Sequence, residues 1–344
     1  MSKHISYGKT TDFKSCIRNI QHAARFESVD ENGEAIYNTN PLPTLTFIGT
    51  TKLHGTNAAV TWQEGNLACQ SRNNIVETGH FGFPEMIQQE IYAVTKMVDY
   101  LRVNTDIKDG EKLTVYGEWA GPGVQTDVGI SCIPRKTWFP FAAKITDVEG
   151  DGRWIKNFHS IFVCDSDRIK QISLFGDAQI EIDFNNPKAA QNQIIEMALA
   201  VEANCPVASR IIGGEETQLG EGMVWETFYK GERFTFKCKG PKHSVTKIKT
   251  SKPIDMDKLG RINDFVDYCV TENRVKQAMF EAIPKNLEMG LTKADTGSII
   301  QWMESDILSE ETFEMKEREL EWKEVANTAN AKARQLFFTE LDKV

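Results

Sequence analysis

Thr44-Leu45-Thr46-Phe47-Ile48-Gly49-Thr50-Thr51-Lys52-Leu53-His54-Gly55-Thr56-Asn57-Ala58-Ala59-Val60-Thr61-Trp62 holds two short runs rich in β-branched and aromatic residues, with a lysine and a glycine between them. Side chains of that kind fit a pleated, half-buried surface, so residues 44–48 and 58–62 read as strands. Lys52-Leu53-His54-Gly55-Thr56-Asn57 is then the connection between them. A lysine at a strand end followed by glycine is by itself an ordinary exposed residue.

Working outward, Leu113–Tyr116, Ser160–Cys164, Gly222–Trp225 and Arg233–Lys239 read as further strands. The last alternates polar and apolar residues, which puts Lys237 and Lys239 on one face. Amphipathic spacing predicts helices from Pro84 to about Val103 and from Pro187 to about Ala203. Strands and helices interleave without a regular βαβ rhythm, which predicts an α+β fold with antiparallel sheets rather than a doubly wound one. After Pro253 the strand signal stops. Met256–Phe280, Ala294–Met303 and Ser309–Leu341 all carry helical spacing, and Thr312–Leu341 reads as one long charged helix. The change near Thr250–Ile254 predicts two domains, residues 1–250 and a helical C-terminal domain over 251–344.

The chain has 344 residues, 40% of them hydrophobic and 26% charged, enough for a sizeable core and ordinary for a soluble protein. No stretch approaches the ~20 apolar residues of a membrane span, and the N-terminus lacks a secretory apolar segment, so a cytoplasmic location is expected. The seven cysteines are scattered without a C-x-x-C pair, and the six histidines without H-x-x-x-H, so a disulfide framework or structural zinc is not expected. A metal would take oxygen ligands, as Mg²⁺ or Mn²⁺ does. The net charge of −9 argues by itself against a nucleic-acid partner. Against that, Lys230, Arg233, Lys237, Lys239, Lys242, Lys247, Lys249 and Lys252 crowd one segment opposed only by Glu232. Phosphate contacts depend on such local clustering more than on the sum.

Five pieces follow one another along the chain: Lys52-Leu53-His54-Gly55-Thr56-Asn57, then Ser71-Arg72, then Tyr116-Gly117-Glu118-Trp119-Ala120-Gly121-Pro122-Gly123, then Glu221-Gly222-Met223-Val224, then Lys237-Cys238-Lys239. Each alone has an ordinary reading: a turn cap for Glu118, a surface ion pair for Arg72, a solubilised strand for Lys237 and Lys239. Together and in this order they resemble the covalent nucleotidyltransferase superfamily of DNA ligases, RNA ligases and capping enzymes. His54 in the K-x-[DH]-G position, followed by Gly55-Thr56-Asn57, is similar to the double-strand RNA ligase family, which includes bacteriophage enzymes and trypanosome RNA-editing ligases. The run Gly117–Gln125 is similar to the phage members. The likeness covers roughly Thr46 to Lys239.

That resemblance implies a nucleotidyltransferase (ATP-grasp-like ligase) domain of antiparallel sheets with flanking helices, followed by a helical domain that docks RNA. It implies ATP as cosubstrate, Mg²⁺ or Mn²⁺, and RNA ends, at nicks or splints in a duplex, as substrate, handled by a monomer. Lys52 would attack the α-phosphorus of ATP and carry AMP as a phosphoramidate. A lysine with a pKa near ~10.4 is protonated at neutral pH, and neighbouring Lys237 and Lys239 with the metal would favour its neutral form. Lys239 and Lys237 would also neutralise the α-phosphate. Arg72 would hold the RNA 5′-phosphate, Glu118 the ribose and Glu221 the metal; Asn57 would act after adenylation, at the nick. Phe141, or alternatively Phe139, would stack on adenine, ordinary core packing being the other reading. Relatives often carry an acid where this chain has Thr51, and the surroundings of Ala142-Ala143 also depart from the family pattern. Two alternatives are an end-binding protein of the same fold without catalysis, and a DNA ligase or GTP-using capping enzyme. The latter usually carry Asp at the position of His54 and a barrel-type tail.

Overall fold

The computed structural model describes residues 4–31, 33–161, 166–243, 255–282 and 291–343. Its elements run α1 (Phe13–Arg25), β1 (Phe26–Val29), β2 (Ala35–Tyr37), β3 (Thr44–Lys52), β4 (Thr56–Gln63), β5 (Asn66–Ser71), β6 (Ile75–Val76), α2 (Phe83–Gln89), α3 (Ile91–Asn104), β7 (Lys112–Ala120), β8 (Thr137–Thr146), β9 (Gly152–Trp154), β10 (Ala178–Asp183), α4 (Gln191–Ala203), α5 (Pro206–Ile212), β11 (Gly222–Tyr229) and β12 (Glu232–Lys239). The helices α6 (Met256–Cys269), α7 (Glu272–Glu281), α8 (Thr296–Glu310), α9 (Thr312–Glu317) and α10 (Trp322–Leu341) follow. The fold is α+β with antiparallel sheets, as the sequence predicts. Two compact units emerge: Met1–Ala24 with Leu42–Ser251, and Arg25–Pro41 with Lys252–Val344. The boundary predicted at 250–254 lies outside the described residues.

In the first unit one sheet has the order β10-β3-β11-β12 and the other β6-β5-β4-β7-β8-β9. Period-two alternation decides what each face of the smaller sheet meets. Phe47, Met223, Trp225, Phe236 and Ile180 point one way and form a core with Ile17 and Ile20 of α1 and Ile194 of α4. The alternate positions Thr50, Lys52, Val224, Glu226, Arg233, Lys237 and Lys239 line a cavity instead. Gly49 is small because a Cβ there would lie 2.6 Å from the ring of Trp225. The larger sheet buries Ala58, Val60, Leu113, Val115, Trp119 and Trp138 against Phe83, Met86, Val94, Met97 and Leu101 of α2 and α3.

The second unit contains the hairpin β1–β2 and the helices α6–α10. Val325, Ala329, Ala333 and Phe337 of α10 recur every four residues and are buried with Phe265, Val275, Ile299, Met303 and Ile307. The single helix predicted over Thr312–Leu341 is broken. Glu319 adopts φ 55, Leu320 is buried, and Glu321 and Glu324 form a capping box that starts α10 anew. Met256–Phe280 is likewise divided, because Thr271 accepts from Arg274 N–H and caps α7. The predicted strand over Ser160–Cys164 starts differently: Phe158–Ser160 is a 3₁₀ turn, and residues 162–164 lie outside the described part.

Candidate active site

The connection Leu53–Gly55 carries the chain from β3 in the smaller sheet to β4 in the larger one. Lys52 is therefore the last residue of one sheet, facing the gap before the other begins. Gly55 is required at the crossing, since a Cβ would come within 2.4 Å of the Trp119 carbonyl oxygen. The close approach lets the Gly55 N–H donate to Glu118 Oε1 at 2.9 Å. On the next strand pair Asn57 lies opposite Glu118.

Gly222, the first residue of β11, pairs with Lys52 on β3 and with Lys239 on β12. Its φ of +138° suits glycine, and a Cβ would sit 2.2 Å from the Cys238 carbonyl oxygen. Glu221 just before it is 1% exposed. One of its oxygens takes Lys52 Nζ at 2.6 Å and the other Lys239 Nζ at 2.5 Å, and His54 Nδ1 stands 3.6 Å away. Burial alone would raise the Glu221 carboxyl, but the charges and hydrogen bonds of Lys52 and Lys239 outweigh it and hold the carboxyl below its usual range. Lys52 thus meets a carboxylate first, where the sequence predicts cations as its neighbours.

Glu118 differs. Burial pushes its carboxyl up to about 7, with Lys52 and the Gly55 N–H pulling only partly back. Lys237 is lowered, by burial first and then by Lys239 and Lys52. Two carboxylates in one cavity therefore stand on opposite sides of their ordinary value, the pattern expected where proton state matters.

All eight residues singled out from the sequence, Lys52, Asn57, Arg72, Glu118, Phe141, Glu221, Lys237 and Lys239, line one cavity of about 440 Å³. Phe139 lines it too, but it is fully buried and packs against Phe175, whereas Phe141 is half-buried at a β-bulge opposite Tyr116/Gly117. Arg72 is exposed in the turn after β5. The basic segment does not form one patch. Arg233 is buried in an ion pair with Glu226, Lys230 donates to the carbonyls of Ala23 and Ala24, and Lys247, Lys249 and Lys252 lie outside the described residues. The sequence reading missed Tyr7–Thr10, Phe158, His159, Gln171, Glu226 and the inward role of Arg233. Only Arg233 carried a signal, since it shares the strand face of Lys237 and Lys239.

Several solved structures of the Naegleria gruberi RNA ligase are similar to this chain. The complex with pyrophosphate is 14% identical with a TM-score of 0.43, covering 71% of this chain and 58% of that one. A mutant with ATP and manganese is likewise 14% identical over the same shares, with a TM-score of 0.44. The chain thus spans 58% of that enzyme's length. Among families, the sequence model described as RNA ligase matches residues 45–239. That span takes in both sheets from β3 to the end of β12 and each of the eight residues, and is more than half of the chain, which therefore belongs to the RNA ligase family.

Proposed function

We propose that the protein is an ATP-dependent RNA ligase that seals 5′-phosphate and 3′-hydroxyl ends, at nicks in duplex RNA, through AMP bonded to Lys52. The observation that carries this reading is the buried Glu221 carboxylate shared between Lys52 and Lys239 in the cavity that Glu118, Phe141 and Arg72 also line. In the first step the Lys52 amine forms an N–P bond to the α-phosphorus, and the bond to the β-phosphate oxygen breaks. Lys52 must lose a proton beforehand, so its hydrogen bond to Glu221 is exchanged as the phosphates arrive. Lys239 then neutralises the α-phosphate, Glu118 accepts from the ribose hydroxyls and Phe141 covers the adenine. In the second step an oxygen of the RNA 5′-phosphate, held by Arg72, takes AMP from Lys52. In the third, with Asn57 at the nick, the adjacent 3′-hydroxyl displaces AMP.

Among the described residues no group of three or more metal-binding side chains occurs. The buried Glu221 carboxylate, in a cavity that Glu118 and Glu226 also line, fits Mg²⁺ or Mn²⁺ arriving on the nucleotide's phosphates, the usual manner for a small hard cation. Bound there, the ion would withdraw charge from the reacting phosphate.

Residues 251–344 are the RNA-docking part in this reading. Removing Pro253–Val344 is expected to spare AMP attachment and abolish sealing; equal sealing by the shortened chain would refute that assignment. The test of the whole proposal is incubation with α-labelled ATP or GTP and Mg²⁺, followed by a denaturing gel. Label from ATP alone, absent in Lys52→Ala, is the expected result. Label from GTP favours a capping enzyme, and no label from folded, unadenylated protein favours an end-binding role.

A further inference from the structure

The N-terminal segment straps the two sheets of the first unit together. At one end the Ile5 N–H donates to Gln70 Oε1 on β5 at 2.7 Å, and Tyr116 Oη of β7 donates to the Ile5 carbonyl at 2.9 Å. At the other, Thr11 bridges to Phe236 of β12: the Lys237 N–H donates to the Thr11 carbonyl at 3.0 Å, and Thr11 Oγ1 donates to the Thr235 carbonyl at 2.7 Å. Between these anchors Tyr7 is wedged against Tyr116, Phe141 and Trp154, with Arg233 donating to its hydroxyl at 3.1 Å. Residues Tyr7–Thr10 wall the cavity between the anchors. The strap therefore holds Lys9, exposed and at the cavity, two residues before the chain pairs with β12 beside Lys237.

The charges around the cavity are unevenly matched. Lys52 and Lys239 share Glu221, and Arg233 has Glu226. Among the described residues Lys9 and Lys237 have no carboxylate within ion-pair reach, and Lys9 is one of the cations that act on Lys237. Lys237 lies across β11 from β3, since Val224 pairs with both Lys237 and Thr50. A nucleotide whose α-phosphorus meets Lys52 and Lys239 can thus run its tail over Val224 toward the β12 edge and the strap.

We propose that Lys9, delivered by the N-terminal strap, joins Lys237 in binding the pyrophosphate half of the nucleoside triphosphate. The inference rests on the ATP reading above. As the Lys52 nitrogen bonds to the α-phosphorus and the bridging P–O bond breaks, the electron pair leaves on pyrophosphate, in line with the attack. Negative charge grows on the leaving group, and a two-lysine site favours that departing anion. Once pyrophosphate has gone Lys9 has no further part, so it serves adenylation and its reversal alone.

The experiment compares wild type, Lys9→Ala and Lys9→Arg in three reactions: AMP attachment from labelled ATP, release of AMP from the adenylated protein by inorganic pyrophosphate, and sealing of a pre-adenylated nick without ATP. Lys9→Ala is expected to slow attachment and pyrophosphate-driven release by roughly tenfold to a hundredfold, the range for one charge-assisted hydrogen bond. Lys9→Arg should recover most of both, and sealing of the pre-adenylated strand should change less than about twofold, within the scatter of one surface charge. Attachment by Lys9→Ala at the wild-type rate overturns the proposal. So does an equal loss in all three reactions, which would make Lys9 an RNA-binding or structural residue. If wild type itself takes no label from ATP, the functional reading fails first, and that failure is separately visible.

Discussion

Lys52 and Lys239 are cross-strand partners of the same residue, Gly222, one on each side of it. Two strand spacings separate their backbones by about 10 Å, and the Glu221 carboxylate closes that gap by taking one ammonium group on each oxygen. The arrangement depends on the strands lying close at Gly222. Gly222→Ala places a methyl 2.2 Å from the Cys238 carbonyl oxygen at φ +138°. It should cost at least about 2 kcal/mol of stability from strain and steric repulsion. It should also lower AMP attachment disproportionately, because Lys239 moves with β12. Denaturant melts together with labelling rates check both, and normal labelling in a destabilised variant would separate the strand geometry from the chemistry.

Glu221→Gln keeps the shape and removes the charge between two lysines. Both lysine side chains are a fifth to a quarter exposed, 20% and 24%, so solvent softens the loss to roughly 1–3 kcal/mol, below the full cost of breaking a buried pair. The Glu221 carboxyl is held below its usual range, so its contribution is present above about pH 4.5 and is lost as pH falls through its folded-state value. The stability gap between wild type and Glu221→Gln should accordingly shrink on acidification below about pH 4.5. A gap independent of pH would mean that the pairing contributes little.

The eight cavity residues were legible because their chemistry is local: a lysine at a strand end, acids leading into strands, and period-two lysines on β12. What positions them was not. The bulge that offsets Phe141 depends on the pairing of β7 with β8, and the crossing at Gly55 on the pairing of β4 with β7, so both are set by partners far apart in sequence, such as Gly117 with Pro140 and Thr56 with Trp119. Tyr7–Thr10 carries no periodicity and is held at the cavity by the bonds of its flanking residues Ile5 and Thr11 to β5, β7 and β12 and by the packing of Tyr7 on Tyr116, Phe141 and Trp154. Period-two spacing puts Arg233 on the β12 face of Lys237 and Lys239, but nothing in the sequence says that its guanidinium is buried against Glu226 and not solvated. The break before α10 has neither Gly nor Pro to announce it; a left-handed Glu319 and a Glu-x-x-Glu cap are weak signals inside a charged helical pattern.

Glu118 offers a pH test of the opposite sign to Glu221. Burial lifts its carboxyl from 4.5 to about 7, so the folded chain keeps a proton that the unfolded chain has already released. Its stabilising contribution is full below about pH 4.5 and is lost as pH rises through about 7. Glu118→Gln keeps the acceptor for the Gly55 N–H and does not titrate. Its melting temperature should therefore gain on wild type between pH 5 and pH 8, by an amount equivalent to no more than about 3 kcal/mol. In the proposed role the same substitution weakens the hold on the ribose, so AMP attachment falls although stability rises. Parallel melting curves for the two proteins across that range would show that the carboxyl does not titrate there.

Arg233 gives a prediction that separates structure from charge count. Its side chain is 7% exposed, paired with Glu226 at 16% exposure, and stacked over Tyr7 and Trp154 at 5.2 and 4.4 Å. Arg233→Met removes the guanidinium and leaves Glu226 without its partner, at a cost of about 3 kcal/mol, the lower end for breaking a buried pair. The double change Arg233→Met with Glu226→Leu removes both charges and should recover much of that loss. Because Tyr7 loses its hydrogen bond and its cation, the strap loosens in both variants. AMP attachment should then stay reduced even in the double variant, whose stability is near normal. Full recovery of labelling along with stability would mean that Arg233 acts only by keeping Glu226 satisfied, and not by seating the N-terminal segment.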